Sequence, residues 1–226
     1  SLALARIAPA QSRETHGISA FGDLKYPAGF PHLDYVNPDA PKGGIFSQIG
    51  SNRQFNQNFL TFNSFNSYIL KGDAALGMEL TFTTLMARAA DEPDAMYGLA
   101  AKSVRVAPDG LTYTFKLFPG ITFHDGKPMT SEDVVFSCMK VLTETHPRAR
   151  QNFARVASAE APDPLTVVFK LKQPFAPFLG CFDCTSAPIV PKHIYENTEF
   201  RKNPMNDKAI GTGPFKLKEW VRGSHV

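Results

Sequence analysis

Ser103-Val104-Arg105-Val106-Ala107-Pro108-Asp109-Gly110-Leu111-Thr112-Tyr113-Thr114-Phe115-Lys116-Leu117 is the stretch on which the fold turns. Leu111, Tyr113, Phe115 and Leu117 alternate with Thr112, Thr114 and Lys116. Because successive strand side chains point to opposite faces, one face is buried and the other solvated. Pro108-Asp109-Gly110 turns the chain back toward Val104 and Val106, so the pattern predicts an antiparallel hairpin. A second hairpin follows the same logic. Val156 to Ala161 turns at Pro162-Asp163-Pro164 into Leu165 to Leu171, where Val167, Phe169 and Leu171 share a face.

Between the hairpins, Thr130-Ser131-Glu132-Asp133 offers a hydroxyl N-cap with acids in the first turn of a helix. Val134, Val135, Cys138, Val141 and Leu142 form its apolar stripe, and Pro147 ends it. Two hairpins and this helix are expected to pack as one subdomain. Upstream, Ala74 to Met86 has helical composition and period, and Ile45 to Ile49 reads as a short strand. Residues 16 to 44 are rich in Gly, Pro, Asp and aromatics and read as a surface-hugging arm. Residues 51 to 68 thread Phe55, Phe59, Phe62 and Phe65 through a run of amides, a long polar-aromatic loop. Gly211-Thr212-Gly213-Pro214 is a turn that feeds a strand reaching Trp220.

The 226 residues carry 24 Lys+Arg against 21 Asp+Glu, a net charge of only +3, with no basic run to serve a nucleic acid. No stretch approaches the roughly 18 apolar residues of a membrane span. Leu2 to Ala10, with Ala8-Pro9-Ala10 as a small-x-small processing site, reads as the tail of a secretory signal peptide, the alternative being a flexible Ala-rich terminus. Cys181-Phe182-Asp183-Cys184 has CxxC spacing. It is open to a local disulfide or packed thiols, a redox pair, or half of a zinc site that lacks a second CxxC. Cys138 falls on the apolar stripe and is expected in the core.

Catalytic signatures are sparse. His124-Asp125 is adjacent in sequence, and Asp125-Gly126 reads as a turn, so the two do not form a dyad. The six histidines show no HExxH spacing, and no GK[ST] follows Gly211-x-Gly213. Amides interleaved with aromatics suit a carbohydrate or peptide surface better than a nucleic-acid one, which needs Lys or Arg beside the rings. A binding module without enzymatic activity, cofactor or metal is the expectation.

Four segments in order carry a family resemblance. They are Tyr97 to Ser103, Asp109 to Leu117, the run Phe123-His124-Asp125-Gly126-Lys127-Pro128-Met129-Thr130-Ser131-Glu132-Asp133-Val134-Val135-Phe136-Ser137, and Gly211 to Leu217. Together they resemble the periplasmic solute-binding proteins of ABC transporters, family 5, which takes up oligopeptides, dipeptides and nickel. The arm from His16 to Gly44 is similar to the subgroup linked to oligopeptide and microcin C type peptide uptake. The resemblance implies an α/β (mixed α+β) fold of periplasmic binding protein type II, with two lobes that enclose ligand. This chain resembles the first lobe alone, an amino-terminal fragment without lobe II. The implied division is 1–12 signal-peptide remnant, 13–44 arm, 45–95 and 175–226 main α/β subdomain, and 96–174 accessory subdomain.

The same resemblance implies site residues. First-lobe ligand contacts map onto Asn66 and Tyr68, and the backbone that pairs with a peptide's main chain onto Lys71, Gly72 and Asp73, by strand addition with water-filled side-chain pockets. A second contact region after the capped helix maps onto Arg148, Arg150 and Asn152. There an Arg either forks onto a carboxylate or belongs to a solvated basic turn. The FHDG and GTGP motifs are expected to be turns rather than ligand contacts. The implied partners are an oligopeptide or peptide-like ligand and the permease subunits of the importer, with no nucleic acid, and the membrane is met only through the permease. Nickel-chelate, haem or sugar capture is the rival within the family. A periplasmic thiol oxidoreductase using Cys181 and Cys184 is the rival from another class.

Overall fold

The computed structural model describes residues 13–19, 22–45, 78–92, 94–144, 150–151, 153–175, 188–199, 207–221 and 224–225. Its strands are β1 Gly17–Ser19, β2 Met86–Arg88, β3 Ala95–Gly98, β4 Ala101–Val106, β5 Thr112–Leu117, β6 Val156–Asp163 and β7 Thr166–Leu171. Among the described residues are the helices α1 Ser131–Glu144 and the short α2 Lys192–Tyr195, with a further helical turn at 150–151 and 153.

Both predicted hairpins form, and they join into one antiparallel sheet of order β4-β5-β7-β6. The register sets Tyr113 opposite Phe169 and Phe115 opposite Val167. The alternating apolar residues of both strands therefore share the buried face. Phe115 and Phe169 meet edge to face at 5.9 Å. Phe115, Phe123, Phe153 and Phe169 are fully buried, and each contributes roughly 1.5–3 kcal/mol by leaving water. At the first turn Gly110 takes φ +68°, and Asp109 Oδ1 accepts the Leu111 amide at 2.9 Å, as a Pro-Asp-Gly turn requires. The edge strand β6 is interrupted by two register shifts and carries Pro162, features that discourage strand addition.

Helix α1 lies on this sheet with Val134 and Cys138 buried. Its cap differs from a simple hydroxyl cap, because the carboxylate does the capping. Asp133 Oδ2 accepts the Thr130 amide at 2.8 Å and the Thr130 hydroxyl at 3.2 Å, the acidic half of a capping box. The hairpins and α1 thus form one subdomain, as expected, and Cys138 is a core residue.

A second, smaller sheet has the order β1-β3-β2. The amino-terminal segment stitches the two sheets together. Gly17–Ser19 pairs with β3, while Thr15 exchanges backbone hydrogen bonds of 2.9 and 2.8 Å with Val104 on the free edge of β4. The start of the arm is therefore a strand rather than surface chain. Beyond it, residues 22–45 are largely exposed and anchored at Tyr26.

Two expectations are corrected. Ala74 to Met86 is not one helix among its described residues: Met78–Thr81 is a 3-10 turn, residues 82–85 are extended and Met86 begins β2. Thr81, Phe82, Thr83 and Thr84 are β-branched or aromatic, and distant chain claims their carbonyls. Thr81 O accepts from Gly213, Thr83 O from Ile189 and Thr84 O from Ala100. The predicted strand up to Trp220 is also absent. Two backbone bonds, Gly213 N to Thr81 O and Phe215 N to Leu80 O, hold the segment, and Pro214 between them has no amide to extend a ladder. The predicted strand at 45–49 lies outside the described residues save for Ile45, as do residues 1–12.

Candidate functional site

Of the predicted ligand contacts, Asn66, Tyr68, Lys71, Gly72, Asp73, Arg148 and Asn152 lie outside the described residues, and so do Cys181 and Cys184. Arg150 is described. It is half-buried in a helical turn between α1 and β6, three residues before the fully buried Phe153. Nearby, the Arg155 guanidinium stacks over the Phe175 ring at 4.0 Å.

What the structure does bring together is a frame at the amino-terminal end of α1, where the 123–127 loop, the 80–81 turn, segment 211–213 and α2 meet. The turn at Asp125-Gly126 is real: Gly126 has φ +87°, and Asp125 Oδ1 accepts the Lys127 amide at 3.1 Å. The rest of the loop does more than turn. His124 Nε2 sits 2.9 Å from Gly213 O, the Gly211 amide donates to His124 Nδ1 at 3.3 Å, and the His124 amide donates to Gly211 O at 2.8 Å. Gly211 and Gly213 need to be glycine for closeness. A Cβ on Gly211 would lie 2.0 Å from Thr81 O, and one on Gly213 2.4 Å from Leu80 O.

Asp125 also faces α2, with its Oδ2 2.8 Å from His193 Nε2. Burial pushes the Asp125 carboxyl up, but hydrogen bonds from His193 and the Lys127 amide, with their charges, outweigh it and hold the group below the usual carboxylate range. Asp133 closes the frame: besides capping α1, its Oδ1 accepts the Lys192 amide at 2.9 Å. The residue pattern announced the turn and the cap. It did not announce His124 as a two-point contact, and the only local signal is a histidine placed directly before Asp-Gly.

The arm is held by a second constellation missed in the sequence. Tyr26, Phe30 and Tyr97 cluster with ring centroids 5.0–5.4 Å apart. Tyr97 OH donates to Glu92 at 2.6 Å, and Tyr26 OH donates to Asp91 at 2.6 Å. Lys25 bridges Asp34 and Asp91, and these bonds hold its ammonium well above the usual lysine range. Burial, reinforced by Glu92, pushes the Tyr97 hydroxyl up to about 12. Spacing alone could not reveal this cluster, because its members lie on opposite sides of a long unpatterned stretch.

Residues 95–226 match the family model described as bacterial extracellular solute-binding proteins, family 5 middle. The chain is 34% identical over 238 residues to the probable peptide-binding protein YejA of Agrobacterium fabrum, covering 100% of this chain and 36% of that one. Among solved structures it is similar to the oligopeptide-binding protein AppA of Bacillus subtilis in complex with a nonapeptide, at 31% identity and TM-score 0.63, over 71% of this chain and 32% of that one. It is also similar to NikZ of Campylobacter jejuni in complex with Ni(L-His), at 26% identity and TM-score 0.60, over 74% and 34%. The chain spans about a third of the length of the curated relatives it matches. The mixed α/β fold is thus that of part of a lobe of a type II periplasmic binding protein.

Proposed function

The chain belongs to the bacterial extracellular solute-binding proteins of family 5, and from that premise we propose that it is part of the ligand-capturing component of an ABC importer that takes oligopeptides or peptide-like compounds outside the cytoplasm. The observation that carries this reading is the joint likeness to a peptide-binding relative and to a structure holding a nonapeptide. Capture is noncovalent and needs no catalytic group. Asn66, Tyr68 and the backbone of Lys71, Gly72 and Asp73 form one contact strip, and Arg148, Arg150 and Asn152 the other. Backbone pairing along the first strip accepts any peptide, and an Arg fork on the second recognises its carboxylate. Closure of two lobes around the ligand then builds the surface that the permease reads. The division into arm, main subdomain and accessory subdomain, the signal-peptide remnant and the periplasmic location belong to the same proposal.

Nickel-chelate capture is the second reading, favoured by the likeness to a structure containing Ni(L-His). One experiment separates the two: the whole protein is purified natively, and the small molecules it releases are identified by mass spectrometry and metal analysis. Peptides in stoichiometric amount support the proposal. Stoichiometric nickel with a small chelator and no peptide overturns it.

A further inference from the structure

We propose that Asp109-Gly110 is a self-modification site, where the chain isomerises to isoaspartate through a succinimide, and that His193 holds the sister pair Asp125-Gly126 against the same reaction. The molecule supplies its own control, because the two pairs sit in matched turns. Gly110 N donates to Ala107 O at 2.9 Å and Gly126 N to Phe123 O at 2.8 Å, three residues back in each case. Both glycines are left-handed, at φ +68° and +87°. In each turn the aspartate's Oδ1 accepts the amide two residues on, Leu111 at 2.9 Å and Lys127 at 3.1 Å.

The reaction needs only water. In the acid form of the side chain, the glycine nitrogen bonds to the aspartate Cγ while its proton and the carboxyl OH leave as water, closing a cyclic imide. Glycine permits this, since no Cβ crowds the attacking nitrogen. Water then adds to one of the two imide carbonyls. Addition at Cγ restores aspartate. Addition at the backbone carbon breaks the bond between that carbon and the glycine nitrogen, so the chain runs on through Cβ and Cγ and the former backbone carbon becomes a free carboxylate. One water leaves and one returns, with no redox change and no change of mass.

The turns differ at the second carboxylate oxygen. Asp109 is exposed, and no second partner holds it among the described residues. Asp125 Oδ2 lies 2.8 Å from His193 Nε2. A carboxylate oxygen can only accept, so Nε2 carries the hydrogen whether or not the ring is charged. Both Asp125 oxygens are thereby occupied, which favours the unreactive carboxylate over the reactive acid and ties the side chain to α2. His193 is itself seated, its ring packed edge-on to the buried Phe123 at 5.7 Å. Isomerisation at Asp109 would add a backbone atom at the tip of the β4–β5 hairpin and take away the acceptor of the Leu111 amide, next to the Val106–Tyr113 pair. The inference does not depend on which ligand the protein captures.

The test ages the whole protein in heavy-oxygen water near neutral pH and maps the label by peptide mass spectrometry, with electron-transfer fragmentation to tell isoaspartate from aspartate. Each imide hydrolysis leaves one heavy oxygen behind. Label and isoaspartate should gather at Asp109, with Asp125 slower by roughly ten-fold or more, the factor that breaking a charge-assisted hydrogen bond imposes on a rate. His193→Ala should raise the rate at Asp125 by about that factor and leave Asp109 unchanged. The urea-unfolded chain should label both pairs at similar rates, since each is then a plain Asp-Gly. Equal rates in the folded protein overturn the proposal, as does an Asp109 that forms no isoaspartate or an unchanged Asp125 rate in His193→Ala. Should that variant not fold, both sites speed up together, and the ratio between the sites in the unaltered protein, folded against unfolded, decides. The same ratio in both states would assign the difference to neighbouring sequence and overturn the role of His193.

Discussion

Val190 donates its amide to Ser137 Oγ at 2.9 Å, and the same hydroxyl donates to Asp133 O at 2.6 Å, so one buried side chain ties α1 to the chain entering α2. Both residues are almost wholly buried, and the Val190 amide has no water to turn to if the hydroxyl is removed. Ser137→Ala should cost about 1–3 kcal/mol in urea unfolding with unchanged m, through the unsatisfied amide. A loss below a few tenths would mean that the backbone re-pairs.

Glycines in this frame divide by mechanism. Gly211→Ala places a methyl 2.0 Å from Thr81 O, a backbone atom that cannot swing away, so the 211–215 segment must leave its seat. Gly126→Ala meets nothing within 4 Å but keeps φ +87°. It should cost only about 1–2 kcal/mol, the strain of a left-handed residue. Thermal unfolding of the pair should therefore show a clearly larger loss for Gly211→Ala. Equal losses would refute the close approach.

Alkali offers a third check. Burial pushes the Tyr195 hydroxyl up to about 12, and burial with Glu92 does the same for Tyr97. With folded values above the unfolded 10, this stability is complete below pH 10 and is lost as pH rises through about 12. Phenolate absorbance should show these two tyrosines ionising late and together with unfolding. Tyr97→Phe should remove one late step, loosening the arm through loss of the Tyr26 N and Glu92 bonds.

The hairpins and α1 were legible because their signals are local. Tyr113, Phe115 and Leu117 alternate on one strand, and Thr130 to Asp133 carry the cap within four residues. Thr81 to Met86 misread as helix because its backbone partners, Gly213, Ile189 and Ala100, lie far along the chain, and a window of sequence cannot weigh them. The same distance hid His124's second role and the seat of Tyr26 on Tyr97. The ligand strips were never visible in pattern at all. Residues 51–73 have no period that points a side chain anywhere, and Asn66, Tyr68 and Gly72 entered through family resemblance alone.

Gly72 is the sharper of two binding tests, although it lies outside the described residues. If its backbone pairs with a peptide's main chain, Gly72→Val puts bulk between two chains that must touch, and affinity should fall by about 1–3 kcal/mol. Lys71→Ala should do much less, since its side chain would not enter the pairing. Calorimetry on the whole protein reads both, and normal peptide binding by Gly72→Val would remove that strip from the site.

Arg150 tests charge recognition. It sits half-buried on the turn between α1 and β6, where a guanidinium is reachable from outside yet partly held by its surroundings. A bidentate fork onto a peptide's terminal carboxylate would be a charge-assisted pair, worth roughly 2 kcal/mol to binding. Arg150→Ala in the whole protein should then weaken free peptides by that amount and carboxy-amidated peptides hardly at all. The discriminating quantity is the difference between the two ligands, because a merely structural defect would weaken both alike. Equal losses would make Arg150 a residue that supports its turn, and any charge contact with the carboxylate would fall to Arg148. A difference that survives in Arg148→Ala but vanishes in Arg150→Ala would assign the fork to this one side chain.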